Sequence, residues 1–272
     1  MNSFDPNELK KLYIPSSGTH KGMNGKLLLV GGSKLFHAAS LWSLTIASRI
    51  VDMVYYASVA ENNEIVQQAK EEFRNGIVVP RDKITSYAKE ADCIVIGPGL
   101  PRATGEEPGD DDTKELTERL LQQFPEKKWV IDGGSLQVIS PDKLPKNAVI
   151  TPHKQEFETL FGLPPTPENC EVVAKKFGVI VLLKGEIDIV ASSEKCVRIS
   201  GGNAGMTKGG TGDVLAGLVA ALACNNDLFL AATAGSYINK KAGDSLFEKV
   251  GLYFNSSDLA NEIPIVMKNL LL

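Results

Sequence analysis

The chain lacks an excess of one charge, a cysteine framework and any long apolar run. A formal net charge of −4 gives no electrostatic reason to expect a nucleic-acid partner. An anionic small molecule could still be held by backbone N–H groups and a few local cations. No segment stays apolar for the roughly 18 residues that a membrane span requires, so no membrane partner is expected. The opening Met1-Asn2-Ser3-Phe4-Asp5-Pro6 has neither the basic nor the apolar region of a signal peptide. The four cysteines, Cys93, Cys170, Cys196 and Cys224, form no C-x-x-C pair and have no histidine nearby at metal-ligand spacing. A reduced, cytoplasmic setting is expected. Linkers and internal repeats are also missing.

What remains is an ordinary globular composition, 43% hydrophobic and 23% charged, in a chain long enough to bury a large core. Short apolar runs stop at glycine or small polar residues. Lys26–Val30 stops at Gly31-Gly32-Ser33, and Cys93–Ile96 at Gly97-Pro98-Gly99-Leu100. Trp129–Asp132 stops at Gly133-Gly134, and Ala148–Ile150 at Thr151-Pro152-His153. Such runs read as buried parallel strands. Between and after them, helices are predicted over 37–51, 63–74 and 113–124, with another starting near His153. The alternation implies an α/β fold, a mostly parallel sheet with helices on both faces. The closely spaced runs 179–185, 187–190 and 196–199 suit antiparallel hairpins at one side. Helices over 213–223 and 228–248 follow, and a last one opens at Ser257-Asp258. The acidic run 106–112 reads as a solvated loop, with metal binding as the lesser alternative.

Ligands of open α/β sheets bind at the carboxyl ends of the strands, so these glycine-bearing ends should line one rim. Beside them belongs the stretch Asn203-Ala204-Gly205-Met206-Thr207-Lys208-Gly209-Gly210-Thr211-Gly212-Asp213-Val214-Leu215-Ala216-Gly217. Its glycines let N–H groups converge on an anion, and the helix that follows points its positive end there. Asp213 at the junction reads either as a helix cap or as a base facing a phosphate. His153 is a substrate contact or a cap. Asp132 is a magnesium or hydroxyl partner, or an acceptor for its own turn. Lys184 ends a long apolar strand, so its charge must reach the rim or be paired; a nucleotide contact is one use for it.

Taken together these motifs resemble the NAD(P)H-hydrate dehydratase family of the ribokinase-like superfamily. The matching residues are Lys21-Gly22, Gly31-Gly32-Ser33, Gly97-Pro98-Gly99-Leu100, Thr151-Pro152-His153 with Glu156, Leu183-Lys184-Gly185, Asn203 and Gly209–Gly217. The resemblance implies a three-layer αβα fold and a single catalytic domain over 1–272, without the epimerase domain many relatives carry. It implies repair of hydrated NADH and NADPH, the (S)-NADHX and (S)-NADPHX forms. A nucleotide, ADP or ATP with ADP favoured, would phosphorylate the ring hydroxyl, and phosphate would then leave. Asp213 would be the base. The N–H groups of Gly210, Thr211, Gly212 and Asp213 would form the anion hole. Gly212 and the turn Lys184, Gly185, Glu186, Ile187 and Asp188 would hold the nucleotide. Ala39, Gly99, His153 and Asn203 would contact the dinucleotide, with Asp213 at the reacting hydroxyl. Magnesium and potassium would assist, the metal ligands being unknown. A homo-oligomer is implied, a tetramer among the forms, with the apolar helices from Val214 to Ala242 as its interface.

Two positions depart from the family pattern. Asp132-Gly133-Gly134 stands where Asp-Ala-Asp is common, and Pro101 replaces a glycine. Two competing readings share the fold: a kinase acting on a vitamin-precursor alcohol, and a non-catalytic nucleotide-binding regulator. The Thr151-Pro152-His153 loop and the extended Asn203 motif favour the dehydratase over the first, and Asp213 argues against the second.

Overall fold

The computed structural model describes residues 1–68, 75–102 and 107–272. The strands are β1 (Asn2–Ser3), β2 (Lys26–Val30), β3 (Met53–Ala57), β4 (Ile77–Val78), β5 (Cys93–Ile96), β6 (Lys128–Ile131), β7 (Ala148–Ile150), β8 (Ile180–Leu183), β9 (Asp188–Ala191) and β10 (Cys196–Ile199). The helices are α1 (His37–Ala47), α2 (Ala60–Gln68), α3 (Ile84–Glu90), α4 (Thr113–Gln123), α5 (Gly133–Val138), α6 (Lys154–Phe161), α7 (Pro167–Phe177), α8 (Thr211–Asn225), α9 (Leu228–Val250) and α10 (Ser256–Leu271).

The strands form one sheet in the order β1-β10-β9-β8-β7-β6-β5-β2-β3-β4. From β8 to β4 every neighbouring pair is parallel, whereas β8, β9 and β10 pair antiparallel as their short connections require. Alternate residues of each strand point to opposite faces. Leu27, Leu29, Val95, Val130 and Leu182 meet α1, α8, α9 and α10 on one side. Leu28, Val30, Ile96, Ile131 and Val181 meet α3 to α7 on the other. This is the expected three-layer α/β arrangement.

The predicted helix over 63–74 begins earlier, at Ala60, and its residues 69–74 lie outside the described residues, as does Glu106 of the acidic run. In the rest of that run Glu107, Pro108, Gly109 and Asp112 are exposed, as expected of a solvated loop, but its three aspartates have structural partners. Asp110 accepts from the Lys34 N–H, Asp111 pairs with Arg81 at 2.6 Å and Asp112 caps α4. The expectation that the 214–242 helices form a subunit interface is corrected: residues 214–224 are all buried, and most of α9 packs against the sheet and α8. All four cysteines are free thiols. Among the described residues, no helix is long and apolar enough to cross a membrane.

Candidate active site at the strand-end rim

The strand order reverses between β2 and β5, and at such a point the two following loops diverge and leave a crevice. Here those loops touch. Gly32 N–H donates to the Pro98 carbonyl at 2.8 Å, and a Cβ on Gly31 would lie 2.4 Å from that oxygen. The start of α1 closes on the same spot, because a Cβ on Gly99 would stand 2.4 Å from the Phe36 carbonyl and 3.1 Å from Ala39 Cβ. Ala39 and Gly99, far apart in sequence, are therefore neighbours where these loops meet.

Along the rim, β6, β7 and β8 deliver Asp132, His153 and Lys184. Asp132 is only 2% exposed. Its Oδ1 accepts from Thr151 Oγ1 at 2.8 Å and from Lys184 Nζ at 2.7 Å. Lys184 is thus paired as its burial demands, with Glu156 Oε2 a second carboxylate at 4.0 Å. Burial pulls the lysine's pKa down, but Asp132, Glu156 and Asp213 outweigh it and hold it above the ordinary value. His153 does cap α6: its Nδ1 accepts from the Glu156 N–H, and the Glu156 carboxylate accepts from the His153 N–H. Half of the imidazole remains exposed, so the cap leaves the far side of the ring open to a ligand.

The glycine-rich loop reaches the same rim from the end of β10. Gly210, not Asp213, is the N-cap of α8, with φ of 95° and no side-chain cap bond. This corrects the cap reading of Asp213, which lies in the first turn. Gly210 has to be glycine: a Cβ there would sit 2.2 Å from Trp42 Cζ3. The loop is braced from outside, Ser256 Oγ donating to the Gly209 carbonyl at 2.7 Å. Thr211 turns its hydroxyl inward onto the Met206 carbonyl at 2.7 Å, so only its backbone is available to a ligand. α1 holds the first turn in place, because Ser43 Oγ donates to the Asp213 carbonyl at 2.7 Å and Gly217 admits the α1 backbone.

Among the described residues, no other residue hydrogen-bonds the Asp213 carboxylate. Its pKa is pushed up to about 7, first by burial and then by the negative charge of Asp132, with Lys184 acting in the opposite sense. An unpaired carboxylate poised near neutrality beside open helix N–H groups is suited to taking a proton from a hydroxyl that attacks a phosphate.

The Lys184–Asp188 turn is anchored from behind. Asp188 Oδ1 accepts from the Gly185 N–H at 2.9 Å and Oδ2 from Ser236 Oγ at 2.7 Å. The buried Lys240 on α9 donates to the Gly185 and Glu186 carbonyls. Asp188 therefore shapes the turn with a carboxylate that is itself consumed, and a ligand would meet the Glu186 and Ile187 backbone. Sequence reasoning missed Lys240 and Ser236; the signal was a charge within an otherwise buried helical stretch. Asn203 is likewise engaged, capping the short helix at 204–207 and donating to the Gly243 carbonyl at 2.8 Å. Gly134 has no room for a side chain, since a Cβ would lie 2.2 Å from the Leu100 carbonyl and 2.7 Å from that of Pro101. The two departures from the family pattern are thus in contact. No three His, Cys, Asp or Glu side chains among the described residues converge to hold a metal. A magnesium ion would have to take most of its ligands from nucleotide phosphates and water.

The family model described as NAD(P)H-hydrate dehydratase matches residues 27–265. The ADP-dependent (S)-NAD(P)H-hydrate dehydratase of Nitrosopumilus maritimus is 37% identical over 284 aligned positions, covering 96% of this chain and 95% of that protein. The bifunctional NAD(P)H-hydrate repair enzyme of Methanocaldococcus jannaschii is 36% identical over 96% of this chain but only 52% of its own length. The chain thus spans about half of such bifunctional relatives. A ribokinase-like superfamily protein of Enterococcus faecalis shares the fold with a TM-score of 0.87 at 23% identity, covering 99% of this chain and 96% of that one. With a family match across most of its length and a ribokinase-like fold, the chain belongs to the NAD(P)H-hydrate dehydratase family.

Proposed function

We propose that this chain restores hydrated NADH and NADPH, in their (S) forms, by ADP-dependent dehydration. The observation that carries this reading is the Asp213 carboxylate, without a hydrogen-bond partner from another described residue, at the head of α8 on the rim it shares with Ala39 and Gly99. Asp213 takes the proton of the ring hydroxyl as its oxygen attacks the terminal phosphorus of ADP, whose bond to the bridging oxygen breaks so that AMP leaves. The N–H groups of Gly210 to Asp213 receive the charge on the transferred phosphoryl group. Phosphate leaves more readily than hydroxide, and as its C–O bond breaks the neighbouring ring carbon gives up a proton to solvent, which returns the ring double bond. The dinucleotide lies along Ala39, Gly99 and the exposed face of His153, and reaches Asn203. The nucleotide lies against Gly212 and the Lys184–Asp188 turn. A magnesium ion carried in on the nucleotide would neutralise phosphate charge.

The chain works as one catalytic unit, a reading supported by its single continuous sheet. A cytoplasmic setting suits its four free thiols. A homo-oligomer, tetrameric or smaller, would use the exposed apolar end of α9 at Phe247 and Val250 with Leu252 and Tyr253 of the turn that follows, and light scattering measures its size.

The deciding assay mixes the protein with hydrated NADH, magnesium and either ADP or ATP, and follows the absorbance of the intact dihydronicotinamide. Recovery only with nucleotide, faster with ADP, is expected. Phosphate transferred to another alcohol with no NADH returned would replace the reading with a kinase. The His153 contact has its own test, because the cap and the ring can be separated. Asparagine is as good an N-cap as any residue, so His153→Asn should keep the melting temperature while raising the KM for hydrated NADH roughly tenfold, about 1.4 kcal/mol of binding. An unchanged KM would leave His153 as a cap alone.

A further inference from the structure

Lys184 stands in a position where two carboxylates compete for it. It ends β8, while Asp132 ends β6, with β7 between them. Neighbouring strands are about 4.8 Å apart, so the lysine side chain crosses over the end of β7 to reach Asp132 at 2.7 Å. At the same time its ammonium faces the first turn of α8, because a Cβ built on Gly212 would lie 3.3 Å from Lys184 Nζ. The next residue is Asp213. Among the described residues, the ion pairs of Lys184 within 4.0 Å are with Asp132 and Glu156, and none is with Asp213. Asp132 is fixed in turn by the Thr151 hydroxyl, on the same oxygen that receives the lysine.

We propose that Asp132 is a positioning residue for the phosphoryl transfer: it keeps the Lys184 ammonium seated against the Gly212 backbone, available to the transferred phosphoryl group, and away from the Asp213 carboxylate. The proposal rests on the dehydratase reading above. Its physical basis is that a buried ammonium must have an anionic partner. The head of α8 is electropositive and offers it none in the backbone. With Asp132 neutral, the anions left to the ammonium are Glu156, already at 4.0 Å, and Asp213; pairing with either withdraws the cation from the phosphate, and pairing with Asp213 also occupies the base. The charged groups that face Asp213 are Asp132 from the end of β6, Lys184 from β8 and Glu156 from α6, with His153 set against Glu156 at 3.5 Å. Asp132 and Glu156 make ionisation of Asp213 harder, and Lys184 makes it easier.

Asp132→Asn tests this, since it is isosteric and can still accept from Thr151. With hydrated NADH and ADP as the probes, kcat should fall ~10- to 100-fold. The acid limb of the kcat profile should move to lower pH by about one unit, because a negative neighbour is lost and Lys184 turns to Asp213. A fall in kcat and melting temperature with the limb unmoved would mean that Asp132 is only structural, and would overturn the proposal. In the Lys184→Met background, Asp132→Asn should cost less than about threefold more; a full additional loss would overturn it too. A wild type that regenerates no NADH sinks the dehydratase reading and this one with it. An active wild type whose limb ignores Asp132→Asn sinks this one alone.

Discussion

Asp213→Asn should lower kcat for NADH recovery by ~10²- to 10⁴-fold while leaving the Kd of ADP within about threefold. The amide cannot accept a proton from the ring hydroxyl, yet it fills the same space at the head of α8. The N–H groups that meet the phosphates belong to the backbone and are unaffected. A variant that retains near-normal turnover would place the base elsewhere. The same carboxylate sets the pH dependence. Its pKa of about 7 means that the base is ionised above neutrality, so kcat should climb about tenfold per pH unit below 7 and level off above it. Stability should respond in the opposite sense. The folded pKa lies above the ordinary 3.8, so folded chains hold a proton that unfolded chains release between about pH 4 and 7. The resulting penalty is absent below that interval, grows across it and is complete above it. At about 1.4 kcal/mol per pKa unit it is on the order of a few kcal/mol. Asp213→Asn removes it and should melt higher than the wild type at pH 8 but not at pH 4, the mark of a group that costs stability for function.

The fold was legible where a local pattern coincided with a tertiary need. Buried parallel strands must be apolar on both faces and must turn sharply onto a helix, so 26–30, 93–96 and 129–131 announce themselves by apolar runs that stop at glycine. Strand β1 does not, because two residues pair with a partner 195 positions later and carry no pattern of their own. Helix α7 was missed although its signals are present: Thr166 caps it, Pro167 occupies its first turn and Gly178 at φ 70° ends it. Helix α5 starts at Gly133, where the glycine pair read only as a turn.

The site was legible residue by residue but not in its couplings. Asp132 and Lys184 each stood out at a strand end with two open readings. That they bind each other depends on both flanking the same strand, a fact of topology rather than spacing. Trp42 beneath Gly210, and Lys240 behind the Lys184–Asp188 turn, are likewise long-range choices that a linear reading has no means of pairing.

The largest effect on stability is expected at Gly97, and it tests whether the rim is as tightly built as the crevice geometry implies. A Cβ on Gly97 would fall 1.7 Å from the Asp132 carbonyl oxygen and 2.8 Å from its carbon. Neither atom can rotate away as a side chain could, because Asp132 N–H is bonded to the Ile96 carbonyl at 3.0 Å and holds that backbone to β5. The φ of 117° adds a conformation that alanine rarely adopts. Overpacking against backbone costs about 1–3 kcal/mol and a strained φ about as much. Gly97→Ala should therefore cost ~4 kcal/mol, a large share of the ~5–15 kcal/mol that keeps a domain folded. Gly162→Ala is the control for backbone conformation alone. Its φ is 65° and nothing lies within 4 Å of the added carbon, so it should cost only about 1–2 kcal/mol. Urea midpoints at constant m-value separate the two. Equal losses would mean that the backbone term dominates and that the Gly97–Asp132 approach is looser than 1.7 Å implies. A much larger loss at Gly97 ties the spacing of β5 and β6 to glycine, and with it the seat of Asp132, because the residue that forces the approach is the one that sets where the carboxylate stands.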